Sequence, residues 1–222
     1  MERITREPRT AGCLSSPLAT SSRVARILII SVILTAGLPA SAGVEAGLAD
    51  PAGDAEHGAP EFMDIVGAEA SKSGQVFRFQ MSLAAPIPAV PPPTPPGTNQ
   101  IEWDWSLNTD PTTFPAGSPF PGGPGQGRPA EFIIHVVWDG RSFSAHLTDR
   151  RPLLSGGEAF ITPLVFTSSG TTTWVDLSAS VLDKPSTFLW GAVTFYWSSP
   201  PGGTAGGHFV DSLEPFYNPF PA

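Results

Sequence analysis

Between Val76 and Leu83 the chain alternates Phe77, Phe79, Met81 and Leu83 with Arg78, Gln80 and Ser82. A two-residue period puts successive side chains on opposite faces, so this segment reads as a half-buried strand. The pattern returns at 101–107, where Ile101, Trp103, Trp105 and Leu107 oppose Glu102, Asp104 and Ser106. Further strands fit 132–138, 142–148, 160–166, 173–181 and 188–197. No stretch holds a helical period with caps. Seven or eight strands at this spacing predict an all-β, antiparallel β-sandwich of jelly-roll type over residues 61–215. Residues 43–60, small, acidic and rich in Gly and Ala, read as a mobile lead-in, and 216–222 as a tail. Two Pro/Gly-rich insertions, 86–97 and 115–129, cannot donate a regular ladder and read as surface loops, either spacers or the rim of a binding site.

One hairpin can be registered from its turn. Asp139-Gly140 is a two-residue turn signal, which pairs Trp138 with Arg141, His135 with Ser144 and Ile133 with His146. Phe132, Ile134, Val136, Phe143, Ala145 and Leu147 then form the core face. His135 and His146 lie on the other face as diagonal neighbours, close enough to share a metal or a ligand, although most such pairs are a solvated sheet face.

The N-terminus changes the picture. Arg23 and Arg26, an apolar run from Ile27 to Leu38, and then Pro39-Ala40-Ser41-Ala42 form the three zones of a signal peptide, residues 1–42, with cleavage expected after Ala42. Val24 is a candidate true start, because the 22 residues before Arg23 are long and unpatterned for a leader. The apolar run is about 12 residues, short of the roughly 20 a membrane-spanning helix needs. The expected product is therefore secreted, free of the membrane after cleavage, and a monomer. The leader removes Cys13, the sole cysteine, so no disulfide is expected. It also takes five of the 12 basic and two of the 20 acidic residues, leaving 7 against 18, net −11. That balance disfavours nucleic acid and anionic membranes as partners and spreads acidity over turns and faces.

Catalytic signals are incomplete. Glu102 and Asp104, two apart on a strand, point the same way about 6–7 Å apart, near the separation retaining glycosidases use. The run resembles the Glu-x-Asp-x-Glu strand of jelly-roll glucanases, but Ser106 stands at the acid/base position, and the alternative is an acidic solvent face. There is no Gly-x-Ser-x-Gly elbow and no cysteine nucleophile. His57 in the mobile lead-in and His208 in a glycine-rich turn read as exposed polar residues. Aspartates near the two ends are more suggestive. Asp54 in Asp50-Pro51-Ala52-Gly53-Asp54, Asp64 at a strand opening and Asp211 near the C-terminus offer the hard oxygen ligands calcium takes outside cells. No single-loop calcium motif is present, so the fold would have to assemble the site.

Asp50-Pro-Ala-Gly-Asp54, Phe62-Met-Asp-Ile65, Asn108-Thr-Asp110, Trp138-Asp-Gly140 and Val210-Asp211 with Pro215 occur in an order that resembles secreted β-sandwich modules of carbohydrate-binding module family 9 and the DOMON-like domains. The resemblance spans about residues 50–215. It implies a sandwich, a sugar or other small ligand, and structural calcium near the termini. Family 9 grips sugar between two aromatic rings. Trp174, on a face with Asp176, Ser178 and Ser180, and Trp190, on a face with Thr194 and Tyr196, are the expected ligand-binding rings, with Tyr196 beside them. Haem, bound by some DOMON relatives through Met and His, is disfavoured because Met81 is on a core face. The expected function is a secreted, non-catalytic carbohydrate-binding module for a glycan or polysaccharide. Its alternatives are a divergent jelly-roll glycoside hydrolase and a structural extracellular protein.

Overall fold

The computed structural model describes residues 43–56, 58–93, 97–110, 130–198, 206–213 and 218–220. The expected leader, with Cys13, and His57, the 115–129 insertion, Glu214 and Pro215 lie outside them. In chain order the strands are β1 (Val44–Ala49), β2 (Ile65–Ser73), β3 (Val76–Leu83), β4 (Thr98–Asn108), β5 (Phe132–Trp138) and β6 (Phe143–Asp149). There follow β7 (Phe160–Leu164), β8 (Phe166–Ser169), β9 (Thr172–Ser178), β10 (Phe188–Ser198), β11 (Gly206–Ser212) and β12 (Asn218–Phe220). All the pairings are antiparallel. One sheet runs β1-β2-β3-β9-β8 and the other β11-β10-β4-β5-β6-β7, with β12 pairing the start of β10. The chain is thus the all-β sandwich its alternation predicts. Among the described residues, no helix is long and apolar enough to cross a membrane.

The inner faces are those the two-residue period marks. Phe77, Phe79, Met81 and Leu83 of β3 and Trp103, Trp105 and Leu107 of β4 are buried in one core cluster with Phe132, Ile134, Phe188 and Trp190. At about 25 cal/mol per Å² of apolar surface, each large ring in this layer contributes several kcal/mol before the entropy of ordering it is subtracted. Two buried polar groups there are bonded, the Trp103 indole N–H donating to the Phe62 carbonyl at 2.9 Å and the Thr194 hydroxyl to the Met63 carbonyl at 2.7 Å, whereas the buried Trp190 indole N–H has no hydrogen-bond partner.

Four local expectations are corrected. Residues 44–49, read as part of a mobile lead-in, form edge strand β1, in register with β2 from Val44 opposite Lys72 to Ala49 opposite Gly67. Its inward residues Ala46 and Leu48 are small or single, so the period is faint in sequence although both pack on the core. Within the expected tail, 218–220 is β12, and Phe220 stacks on Phe188 with centroids 4.7 Å apart and planes 6° apart. The segment 160–166, read as one strand, divides between the sheets, with Val165 at the crossing 83% exposed. The 139–140 hairpin also closes differently. The Asp139 carboxylate accepts the Arg141 and Ser142 N–H groups, both at 2.8 Å, which gives a four-residue turn with Trp138 opposite Phe143. That two-residue shift leaves every face as predicted, because side chains repeat every second residue.

Phe220→Ala should lower unfolding free energy by about 3 kcal/mol, as expected for a fully buried ring. Urea denaturation checks this, and a change under about 1 kcal/mol would remove β12 from the cooperative core.

Candidate functional site

The three aromatic residues expected at a ligand site fall in three different places. Trp174 of β9 lies half-buried on the outer face of the five-stranded sheet, opposite Gln80 of β3 and Thr167 of β8. Arg78 and Asp176 share this face. Their paired bonds of 2.7 and 2.8 Å fix the guanidinium 5.4 Å from the Trp174 ring centroid. Trp190 is instead fully buried. It stands opposite Leu107, and its face-mates Ala192 and Thr194 stand opposite Trp105 and Trp103, so the core face of β4 draws this side of β10 inward. Leu189, Val193, Phe195 and Trp197 make the other side equally apolar, and amphipathic contrast therefore pointed the wrong way. Tyr196, further along the same face, is half-buried and stacks at 4.7 Å on His208, which lies in β11 opposite it and not in a turn. No pair of these rings faces another across a shared cleft.

The terminal carboxylates do converge. Asp50, Asp54 and Asp211 bring oxygens within 4.8 Å of one another. Asp64, 4% exposed, accepts the Gly53 N–H at 2.7 Å through Oδ2, while its buried Oδ1 has no hydrogen-bond partner. Asp211 accepts the Ile65 N–H at 2.6 Å and the Ser212 N–H at 2.7 Å. Burial, with the charges of Asp54 and Asp64 beside it, lifts the Asp211 carboxyl above the ordinary aspartate range despite these bonds. The Asp50–Asp54 turn is thereby tied to β2 and β11, from opposite ends of the domain. The Asp110 N–H and that of Thr109 donate to Glu131 at 2.9 and 2.7 Å.

A second polar cluster is one that sequence reading held in two separate pieces. Pairing of β4 with β5 sets Asp104 opposite His135, and pairing of β5 with β6 sets His135 opposite His146. His135 Nδ1 is 3.0 Å from Asp104 Oδ1 and 3.6 Å from Glu102 Oε2, and the two imidazoles stack with centroids 4.8 Å apart. Glu102 and Asp104 are 5% and 3% exposed, so the expected acidic solvent face is buried. The Trp197 indole N–H donates to Glu102 Oε1 at 2.8 Å, and the Gln100 amide donates to the same oxygen. The Trp197 ring is held by close approach to β11, where a Cβ on Gly207 would come within 3.2 Å of it. Sequence gave one usable hint of this cluster, the shared outward parity of Glu102, Asp104 and His135, but not the registers that bring them together.

The electrostatics of the cluster are coupled. Burial opposes the imidazolium of His135, but Asp104 and Glu102 outweigh it and raise the group to about 10. Burial pushes the Asp104 carboxyl up, with Glu102 adding to the effect and His135 opposing it. Burial would likewise raise Glu102, yet its bond to and attraction for His135, with Gln100 and Trp197, bring it below the ordinary glutamate value. His146 is lowered, by burial and by the charge on His135.

A group whose folded pKa exceeds its unfolded value near 6.5 stabilises fully below that value, and the contribution disappears as pH rises through the folded pKa. Unfolding free energy should therefore fall between pH 6.5 and about 10, with a slope of at most about 1.4 kcal/mol per pH unit for this proton. His135→Gln should flatten that decline in urea titrations across the range. An equally steep decline in the variant would assign the effect elsewhere.

No protein family model, curated protein or solved structure matches this chain.

Proposed function

We propose that the chain is an exported, non-catalytic binding module that takes a carbohydrate on the outer face of its five-stranded sheet and carries a structural calcium ion at its joined termini. The observation that carries the first part is the half-exposed Trp174 indole set in a polar sheet face. Glu69 and Gln80 lie in its cross-strand row, Arg78 and Asp176 in the next, and Gly47, Gly67 and Ser82 line a shallow groove beside them. A pyranose has an apolar C–H face that stacks on an indole and a rim of hydroxyls that bond to carboxylate, amide and guanidinium groups, which is the chemistry this surface offers. The signal-like N-terminus supports export.

Against hydrolysis stands the placement of Glu102 and Asp104, both buried and engaged with His135, with Ser106 where a proton-donating glutamate would be needed. For calcium, the support is a set of four carboxylates from the two ends of the domain with one buried oxygen, Asp64 Oδ1, lacking any hydrogen-bond partner. An all-oxygen set of this charge suits a hard cation, which would supply the missing partner and cancel the repulsion at Asp211.

Affinity electrophoresis against a panel of soluble polysaccharides tests the carbohydrate reading. At least one should retard the protein, and Trp174→Ala should weaken that interaction about tenfold or more, about 1.4 kcal/mol. Failure of every polysaccharide, with and without calcium, would remove the reading. Independently, saturating calcium should raise the melting temperature by roughly 5–10 °C. Asp64→Asn should abolish most of that gain in a thermal melt, and a full gain in the variant would place calcium elsewhere.

A further inference from the structure

We propose that Glu102, Asp104 and His135, on the outer face of the seven-stranded sheet, form a binding site for a divalent transition-metal ion of the zinc class, distinct from both the Trp174 face and the terminal carboxylates. The donor set is one imidazole nitrogen and two carboxylate oxygens. That mixture suits zinc, cobalt or nickel, whereas calcium prefers six to eight oxygens.

The spacing fits. A tetrahedral ion with bonds of about 2.0–2.1 Å has ligand-to-ligand edges of about 3.3 Å. His135 Nδ1 already lies 3.0 Å from Asp104 Oδ1 and 3.6 Å from Glu102 Oε2, and one donor atom from each residue falls within 4.8 Å of the others. The two His135 edges thus lie within a few tenths of an ångström of the tetrahedral value, and the Glu102–Asp104 edge is under 4.8 Å. No backbone rearrangement is required, because Asp104 and His135 are partners in the β4–β5 ladder and Glu102 is two residues along the same face.

The surroundings orient these donors as the outer shell of a metal site does. Trp197 Nε1 and Gln100 Nε2 both donate to Glu102 Oε1, which leaves Oε2 toward His135. Trp197 is in turn seated against Gly207. Charge points the same way. With both buried carboxylates ionised, one imidazole leaves a surplus negative charge even when the ring is protonated, which is why burial and Glu102 hold the Asp104 carboxyl up. A doubly charged ion bound to the neutral ring leaves none, and uncompensated buried charge is strongly unfavourable. His146 lies nearly parallel to His135, with a 27° angle between the planes, so its in-plane nitrogen lone pairs do not converge on the same point. The protein thus supplies three ligands, and water takes the fourth place, the pattern of an ion open to exchange.

Chelator-treated protein titrated with cobalt(II) should show the visible bands of a four-coordinate ion, saturating at one ion per chain, and zinc should displace it. His135→Gln should abolish the bands and Glu102→Gln should weaken binding at least tenfold, while Asp64→Asn, in the terminal cluster, should leave them intact. Circular dichroism checks that each variant folds. If His135→Gln does not, imidazole nitrogen NMR on the wild-type chain replaces it, and zinc should shift the His135 Nδ1 resonance. Failure of the wild-type protein to bind cobalt or zinc stoichiometrically would overturn the proposal. So would full binding by folded His135→Gln, or an unmoved His135 Nδ1 resonance at saturating zinc.

Discussion

Strand β4 is paired on both sides, with β10 from Leu189 opposite Asn108 onward and with β5 from Ile101 opposite Trp138 to Leu107 opposite Phe132. A strand held this way cannot rotate, so its two-residue period becomes a rigid division. Trp103, Trp105 and Leu107 must fill the space between the sheets, and Glu102, Asp104 and Ser106 must lie on the opposite side. The same ladder carries Trp190, Ala192 and Thr194 inward on β10 and carries His135 outward on β5. The aromatic core and the charged cluster are therefore two consequences of one set of backbone hydrogen bonds. A change that slips β4 by one residue would expose the first and bury the second among hydrocarbons.

How far the sequence speaks depends on what kind of information each feature needs. Faces were readable wherever apolar and polar residues alternate sharply, as in β3, β4 and β5. They failed at β10, where Phe188, Trp190 and Ala192 compete with Leu189, Val193 and Phe195, and the choice is made by the partner strand. β1 and β12 escaped notice because small residues and a short three-residue segment give little periodic contrast, though Leu48 and Phe220 pack on the core. At the candidate sites, Asp54, Asp64 and Asp211 were legible as oxygen donors and the fold brings them together with Asp50. The union of Glu102, Asp104 and His135 was not legible, since the registers that create it are set by long-range pairing that no local pattern encodes.

Charge is distributed differently from what composition alone implies. Residues 43–222, with 7 basic and 18 acidic side chains, would be expected to keep carboxylates in water. Some are instead neutralised at the surface, as where Arg78 meets Asp176 and Arg151 meets both Asp149 and Asp183. Others are concentrated and shielded: Glu102, Asp104, Glu131, Asp64 and Asp211 are all buried. Glu131 is satisfied by the backbone of residues 109 and 110, but the remaining four stand near other carboxylates. Desolvating like charges together opposes folding, a cost that His135 offsets in one of these regions and backbone N–H groups offset in the other.

The four-residue turn that Asp139 closes separates two properties usually lost together. Its length sets which residues of β5 and β6 stand opposite each other, yet adding or removing an even number of residues there would return every side chain to the same face. Such an indel, where it slid β6 along β5, would keep Phe143, Ala145 and Leu147 facing inward against new partners and would move His146 away from His135. Over evolutionary time the stacking of the imidazoles is thus free to appear or vanish within one unchanged sandwich, through a loop that touches neither ring.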